Sequence, residues 1–440
     1  MTALRREHPA PPVRIAHLGA GNFFRAHQAW YTEHAGDGWG IAAFTGRGGA
    51  VDDPAGPDSA GVYPLIVRAA DGDHTEIISA VTGVAGDLDT WRKTFELDGL
   101  AIVTSTITEA GYRARGGHLD QDDPAVAADI AALRSQGTAA EVTTAPGKLV
   151  LGLAVRRAAG LPGVAVVPCD NLPGNGAVAA AVVGELAAAV DPQLDSWIDG
   201  SVSFVTTMVD RITPRPTPED GPGAVVTEPY TEWVLAGDFP AGRPAWDAAG
   251  ARFVTDVEPW EQRKLWLLNG SHSLMAYAGS LRGHETVAEA IADPVVRGWV
   301  EQWWDVAAAH LPLPAAEIAD YRAALLERYA NPRIRHLLRQ IAADGSQKVP
   351  VRVWPALHAS LHAGQVPEGA YRILAAWVVH LRGHGAPVTD VAAGELTALA
   401  GGDLHEAVRR VLTRIAVGRD DGNDERVHAA VVRLANELEG

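Results

Sequence analysis

Four polar residues stand at helical spacing in the stretch EQRKLWLLNGSH: Glu261, Lys264, Asn269 and His272. Residues 260–278 contain no proline and are rich in Leu, Trp and Met, which predicts a single helix. At 3.6 residues per turn Leu265, Trp266, Leu267 and Leu268 fall on all of its sides, and a helix apolar all round is buried. On a helical wheel the four polar residues span an arc of roughly 140°, so one wall of this buried helix is polar. Burial penalises a charged ammonium and moves its pKa toward the range where lysine accepts a proton. That is the property a general base needs. The same spacing also suits a plain i,i+3 pair of Lys264 with Glu261, with Asn269 and His272 satisfying backbone groups of neighbouring helices. The spacing alone leaves both readings open.

The elements that could position such a site begin at the N-terminus. Residues 13–18 (VRIAHL) predict a short buried strand that runs into Gly19-Ala20-Gly21-Asn22-Phe23-Phe24, with a helical pattern from about 23 to 34. Strand, glycine turn and helix open a βαβ nucleotide-binding unit. Gly19 makes the tight turn and Gly21 admits a pyrophosphate, with Asn22 and Phe23 starting the helix whose free N–H groups favour an anion. Phe24 stands where the third glycine of the usual fingerprint would be. A tight turn with no ligand is the competing explanation. A second strand, residues 40–44, ends at Arg47, where an acid would hold the ribose of NAD and an arginine accepts the 2′-phosphate of NADP. Arg47 therefore leaves the coenzyme open between NAD and NADP. Further β-like runs cover 76–81 and 100–106, and the latter leads to Thr106 and Thr108 on the ligand-facing edge of a parallel sheet. A helix over 148–159 and a strand over 164–167 follow, and Asn171 in the next loop is either a hydrogen-bond donor to substrate or an Asx-turn residue. Residues 201–208 predict another strand. Residues 214–252 look irregular or short-stranded, carrying the chain between domains.

Beyond residue 256 the texture is helical, with helices expected at 293–310, 315–330, 332–343, 351–361, 369–381, 403–417 and 424–438 and a turn at 344–348. The expectation is an α/β Rossmann-like coenzyme domain over 1–255 and a mainly α-helical substrate domain over 256–440. The chain has 440 residues and a formal net charge of −17, which argues against nucleic acid or an anionic membrane surface as partner. Cys169 is the single cysteine, so no intramolecular disulfide or cysteine zinc site can form. The N-terminus has no apolar signal segment, and a reducing cytoplasm is the expected compartment.

Six stretches in order, GAGNFFRAHQ, TITEAGY, PCDNLPGNG, TMVDRITP, KLWLLNGSH and DGSQK, resemble the long-chain polyol dehydrogenases, the mannitol dehydrogenase and fructuronate reductase family. The resemblance implies that Lys264 is the catalytic base, with Asn269 and His272 completing a K-x-x-x-x-N-x-x-H signature that uses no metal. It implies that Asn171 joins the oxyanion site, that His272 orients substrate, that Glu261 relays the proton, and that Asp210 and Lys348 line the substrate pocket. The activity implied is NAD(P)-dependent interconversion of a polyol and a ketose. A hexuronate reductase is the alternative and would need a further cation, for which Arg339 and Arg352 are candidates. Gln340 beside Arg339 departs from some mannitol dehydrogenases and is closer to the hexuronate branch. A nicotinamide-binding protein without chemistry is disfavoured by the intact lysine, asparagine and histidine, and a zinc alcohol dehydrogenase by the lack of an HExxH or Cys/His cluster. The expected partner is a small polyol or sugar acid, and the protein is expected as a monomer or small homo-oligomer.

Overall fold

A computed structural model describes residues 6, 8–46, 61–416 and 420–439. The chain divides into two compact units, Met1–Glu258 and Pro259–Gly440.

The first unit is built on six parallel strands: β1 (Val13–Leu18), β2 (Gly40–Phe44), β3 (Val81–Ala85), β4 (Ile102–Ser105), β5 (Ala165–Pro168) and β6 (Ser203–Phe204). Their order across the sheet is 6-5-4-1-2-3, the doubly wound arrangement in which the strand order reverses beside β1. Short, nearly continuous apolar strands are what a sheet covered on both faces requires. Ala16 and Leu18 accordingly enter one apolar cluster with Trp91, Phe95 and Val103, while Ile15 enters the other with Phe24, Tyr31 and Trp233.

Several expected elements divide where a side chain captures the backbone. Residues 76–81 are not one strand. Gly72–Ile78 pairs in a hairpin with Tyr63–Ala69, and β3 begins afresh at Val81. Between them the Glu33 carboxylate accepts from the backbone N–H of Ser79 and Ala80 at 2.7 and 2.6 Å, which removes these donors from any ladder. Residues 201–208 also divide, into β6 and a separate strand Thr206–Asp210 paired with Glu232–Ala236. Here the Asn175 amide both accepts from Thr207 N at 2.9 Å and donates to Thr207 O at 3.0 Å. Residues 214–252 do not carry the chain between units. They lie inside the first one, where Val225–Thr227 pairs with Tyr63–Ala69, and Glu232–Ala236 pairs with Thr206–Asp210 and Arg252–Phe253.

The second unit is helical. Glu368–Leu381 is buried on nearly every side and packs against Pro294–Ala308 and Glu425–Glu439, as an apolar core helix must. Ala315–Tyr329 and Leu404–Ala416 stand close to their expected positions, whereas Val287–Ala292 and Ala393–Ala400 were not anticipated. Residues 332–343 form no long helix, since only Leu338–Ile341 is helical. The chain before it turns and then bridges Leu337 to Thr286, because Val287 N donates to His336 O at 3.0 Å and Leu338 N to Glu285 O at 2.9 Å. Residues 344–348 are not a free turn but the start of helix Gly345–Arg352, whose first turn is held by Asp390 accepting from Ser346 N at 2.8 Å. That helix ends at Val353, three residues after Pro350, and Trp354–His362 follows in place of a single helix over 351–361.

Candidate active site

The segment that carries Lys264 is helical throughout but not uniformly α. Glu258–Arg263 is α, Lys264–Gly270 is a π-helix, Ser271–Leu274 returns to α, and Met275–Gly279 is π again. In a π turn the hydrogen bond runs from residue i to i+5, so Lys264 and Asn269 come into line along one face. In an α-helix residues five apart point roughly 140° away from each other. His272 lies three residues past Asn269, one α turn further on. Glu261 stands one α turn before Lys264. The wheel drawn for a uniform α-helix is thereby corrected, and Lys264, Leu265 and Asn269 are half-buried where full burial was expected.

Side chains of neighbouring helices donate to the backbone carbonyls along this segment. Trp303 Nε1 donates to Trp266 O at 2.8 Å and Trp304 Nε1 to Leu267 O at 2.9 Å. Tyr329 Oη donates to Leu268 O at 3.2 Å, and Arg352 Nη1 to Asn269 O at 3.3 Å. Four successive carbonyls thus each hold a side-chain donor, which offsets the cost of the irregular turn.

His272 is fully buried, against Tyr329 at 5.1 Å and His336 at 5.0 Å between ring centroids. Its pKa is pushed well down, first by burial and then by His336, Arg328 and Arg352, so the ring is neutral at physiological pH. Arg352 also donates to Ser273 Oγ at 3.1 Å. Burial lowers its pKa to about 10, and it stays charged at neutral pH. Lys348, one turn before Arg352 on the same helix, donates to Ile341 O and Ala343 O at 3.1 and 2.5 Å. It closes the end of Leu338–Ile341, and burial lowers its pKa. Arg339 is exposed on that short helix, so of the two candidate cations Arg352 is the one against the lysine-bearing segment.

In the first unit Gly19 follows β1 with φ of 108°, and any side chain there would overlap the carbonyl of Thr106 beyond β4. Thr106 N donates to Leu18 O at 2.9 Å and Thr106 Oγ1 to Gly19 O at 2.7 Å. The two loops are clasped at the point where strand order reverses, which is where open α/β sheets bind ligands. Gly21 is different. Among the described residues a Cβ there would meet only Gly19 O, at 3.8 Å, so they leave space over this loop, as a dinucleotide requires. Asn22 is the first residue of helix Asn22–Ala26, and Phe23 stacks on His27 at 5.1 Å. The helix breaks at His27 and resumes as Gln28–Ala35. Phe24 replaces the third glycine by stacking on the His17 ring at 3.6 Å, filling the strand–helix contact. Thr108 is exposed and precedes the single turn Glu109–Tyr112. Asn171 is exposed just beyond β5, and the adjacent Asp170 accepts a short hydrogen bond from Tyr112. Burial raises the Asp170 pKa to about 6. Asp210 is buried at the end of Thr206–Asp210, opposite Glu232. Arg47 lies outside the described residues. Lys148, which sequence reasoning missed, donates to Gly46 O at 3.1 Å and fixes the end of β2.

Residues 13–248 match the mannitol dehydrogenase Rossmann domain and residues 256–431 the mannitol dehydrogenase C-terminal domain. The chain belongs to the mannitol dehydrogenase family. It is thereby an oxidoreductase of that family with a Rossmann-type N-terminal domain and a mainly helical C-terminal domain. Its relatives in the mannitol dehydrogenase family differ in substrate. D-mannonate oxidoreductase of Escherichia coli (strain K12) is 36% identical over 403 residues, covering 84% of this chain and 79% of its own. The Pseudomonas fluorescens mannitol 2-dehydrogenase ternary complex with NAD and D-mannitol superposes with a TM-score of 0.79 at 29% identity, covering 99% of this chain and 96% of that one. D-sorbitol dehydrogenase in substrate-free form superposes with a TM-score of 0.87 at 26% identity, covering 99% and 94%. Family membership does not reveal the donors behind the π turn. Trp303, Trp304, Tyr329 and His336 gave no signal in the sequence beyond ordinary core spacing.

Proposed function

We propose that this protein interconverts a polyol and a ketose by hydride transfer to and from NAD, with Lys264 as the base. The observation that carries the reading is the π turn, which puts the Lys264 amine and the Asn269 carboxamide on one face with His272 a turn beyond. π-bulges occur frequently at functional sites. Bound nicotinamide supplies the hydride acceptor and donor. Lys264 takes the hydroxyl proton as the carbinol hydrogen departs, and Glu261 passes it outward. Asn269 donates to the alcohol oxygen as negative charge develops, a contribution of typically about 10²- to 10³-fold per donor. Asn171 is assigned the same kind of donation, and neutral His272 orients a substrate hydroxyl. Asp210 and Lys348 are assigned to the substrate pocket, and no metal takes part.

Gly19, Gly21, Asn22, Phe23, Thr106 and Thr108 form the proposed coenzyme loops, with Arg47 at the ribose. NAD is favoured because a mannitol 2-dehydrogenase of this fold carries it. The second reading is reduction of a hexuronate to an aldonate such as mannonate. Charged Arg352 on the Asn269 carbonyl favours it, as does the likeness to D-mannonate oxidoreductase. Reduced-nicotinamide absorbance with D-mannitol and D-mannonate, using both coenzymes, separates the two. Lys264→Ala is expected to cut turnover by about 10²-fold or more with coenzyme affinity retained. Near-normal turnover by that variant would return Lys264 to the role of structural partner for Glu261.

A further inference from the structure

His336 stands edge-on to His272, with ring centroids 5.0 Å apart and planes at 79°. Each ring has a buried nitrogen with no hydrogen-bond partner among the described residues, Nε2 of His272 and Nδ1 of His336. Native interiors hold few such groups, because an unpartnered buried polar atom forfeits its hydration without compensation. Two on touching rings call for a common explanation. The backbone that presents His336 is held from both sides. Its N–H donates to Ile334 O at 2.8 Å and its carbonyl accepts from Val287 N at 3.0 Å, next to the Thr286–Leu337 bridge. A continuous helix over this stretch would have turned the ring elsewhere, so this turn and bridge fix it on His272.

Resting on the reading that Lys264 and His272 handle a polyhydroxylated substrate, we propose that His336 is a second imidazole contact to that substrate. It takes the hydroxyl neighbouring the one held by His272. Both rings are neutral, and burial with Arg328 nearby keeps His336 so. A neutral imidazole offers one N–H and one lone pair. A hydroxyl is likewise donor and acceptor at once, so two such rings match adjacent hydroxyls whichever tautomer each adopts. Arg352, charged beside Asn269, is a separate cation that a sugar acid's carboxylate would meet without altering the part played by the histidines.

The test uses the full-length enzyme with NAD and D-mannitol or D-mannonate, together with their 3-deoxy and 4-deoxy forms. His336→Phe keeps an aromatic ring and removes both nitrogens, whereas His336→Asn keeps a polar group near the Nδ1 position. The Phe variant is expected to raise KM about tenfold with kcat little changed, as loss of one hydrogen bond implies, and Asn to recover most of it. One deoxy substrate should cost the wild type about tenfold and the Phe variant nothing, as coupled partners do. Equal losses in Phe and Asn, or a deoxy penalty that persists in the Phe variant, would overturn the inference. If the Phe variant does not fold, His336→Gln replaces it. Gln losing affinity while Asn keeps it supports the contact, and equal behaviour refutes it. An inert Lys264→Ala beside unchanged His336 variants removes only the His336 inference, while an active Lys264→Ala removes the reading beneath it.

Discussion

Gly270 and Trp303 occupy each other's space: a Cβ on Gly270 would lie 2.6 Å from the indole Nε1, and that nitrogen donates to Trp266 O at 2.8 Å. The glycine of the KLWLLNGSH stretch is therefore what lets the indole reach the π turn and donate to one of its carbonyls.

Gly270→Ala should for this reason act on chemistry as well as stability. Moving Trp303 costs packing and a buried hydrogen bond, about 1–3 kcal/mol in all. Relaxation of the turn toward α would swing Asn269 away from Lys264. The expected outcome is a lower melting temperature together with a fall in kcat of at least about tenfold. A variant that loses stability but keeps kcat would mean the π turn does not matter for catalysis.

Acid should weaken the fold through the histidine pair. His336 falls to about 4 in the fold from an ordinary value of 6.5, by burial first and Arg328 second, and His272 moves the same way. Both are folded-state values below the unfolded ones, so the stability they confer is present above pH 6.5 and lost as pH falls toward about 4. For His336 this amounts to roughly 3 kcal/mol. Urea melts at pH 7.5 and pH 5 should show a smaller acid loss in His336→Asn than in the wild type. Identical losses would show that the ring is protonated freely in the fold.

Chelation is expected to leave turnover unchanged. Lys264 serves as the base in the proposed reaction, and among the described residues no group of three His, Cys, Asp or Glu side chains could hold a metal ion. Prolonged dialysis against EDTA tests this, and activity recovered only on adding zinc would contradict it.

Coenzyme choice should turn on Arg47. A guanidinium can grip a 2′-phosphate, so Arg47→Asp is expected to lower kcat/KM for NADP at least about tenfold more than for NAD. Equal losses with the two coenzymes would place Arg47 away from the ribose.

Much of the first unit was legible in the residues themselves. Strand β1, the tight turn at Gly19 and the order strand, glycine turn, helix follow from apolar runs and from steric rules that act within a few residues. The helices Ala315–Tyr329, Glu368–Leu381 and Glu425–Glu439 were legible for the same reason, since their 3.6-residue pattern is local. The identities of Lys264, Asn269 and His272 as a set also stood in the sequence.

What the sequence could not disclose depends on partners distant along the chain. Glu33 ends a strand at Ser79, and Asn175 draws Thr207 out of the parallel sheet. Val287 and Thr286 hold His336 and Leu337 outside any helix, which sets His336 on His272. The π turn is the decisive case. Nothing in the residues from Lys264 to Gly270 marks a wider turn, and the donors of Trp303, Trp304, Tyr329 and Arg352 that brace it lie far along the chain. The sequence determined which groups could do the chemistry. Tertiary packing decided that Lys264 and Asn269 share a face, because the side-chain donors that brace the π turn come from helices distant in the sequence.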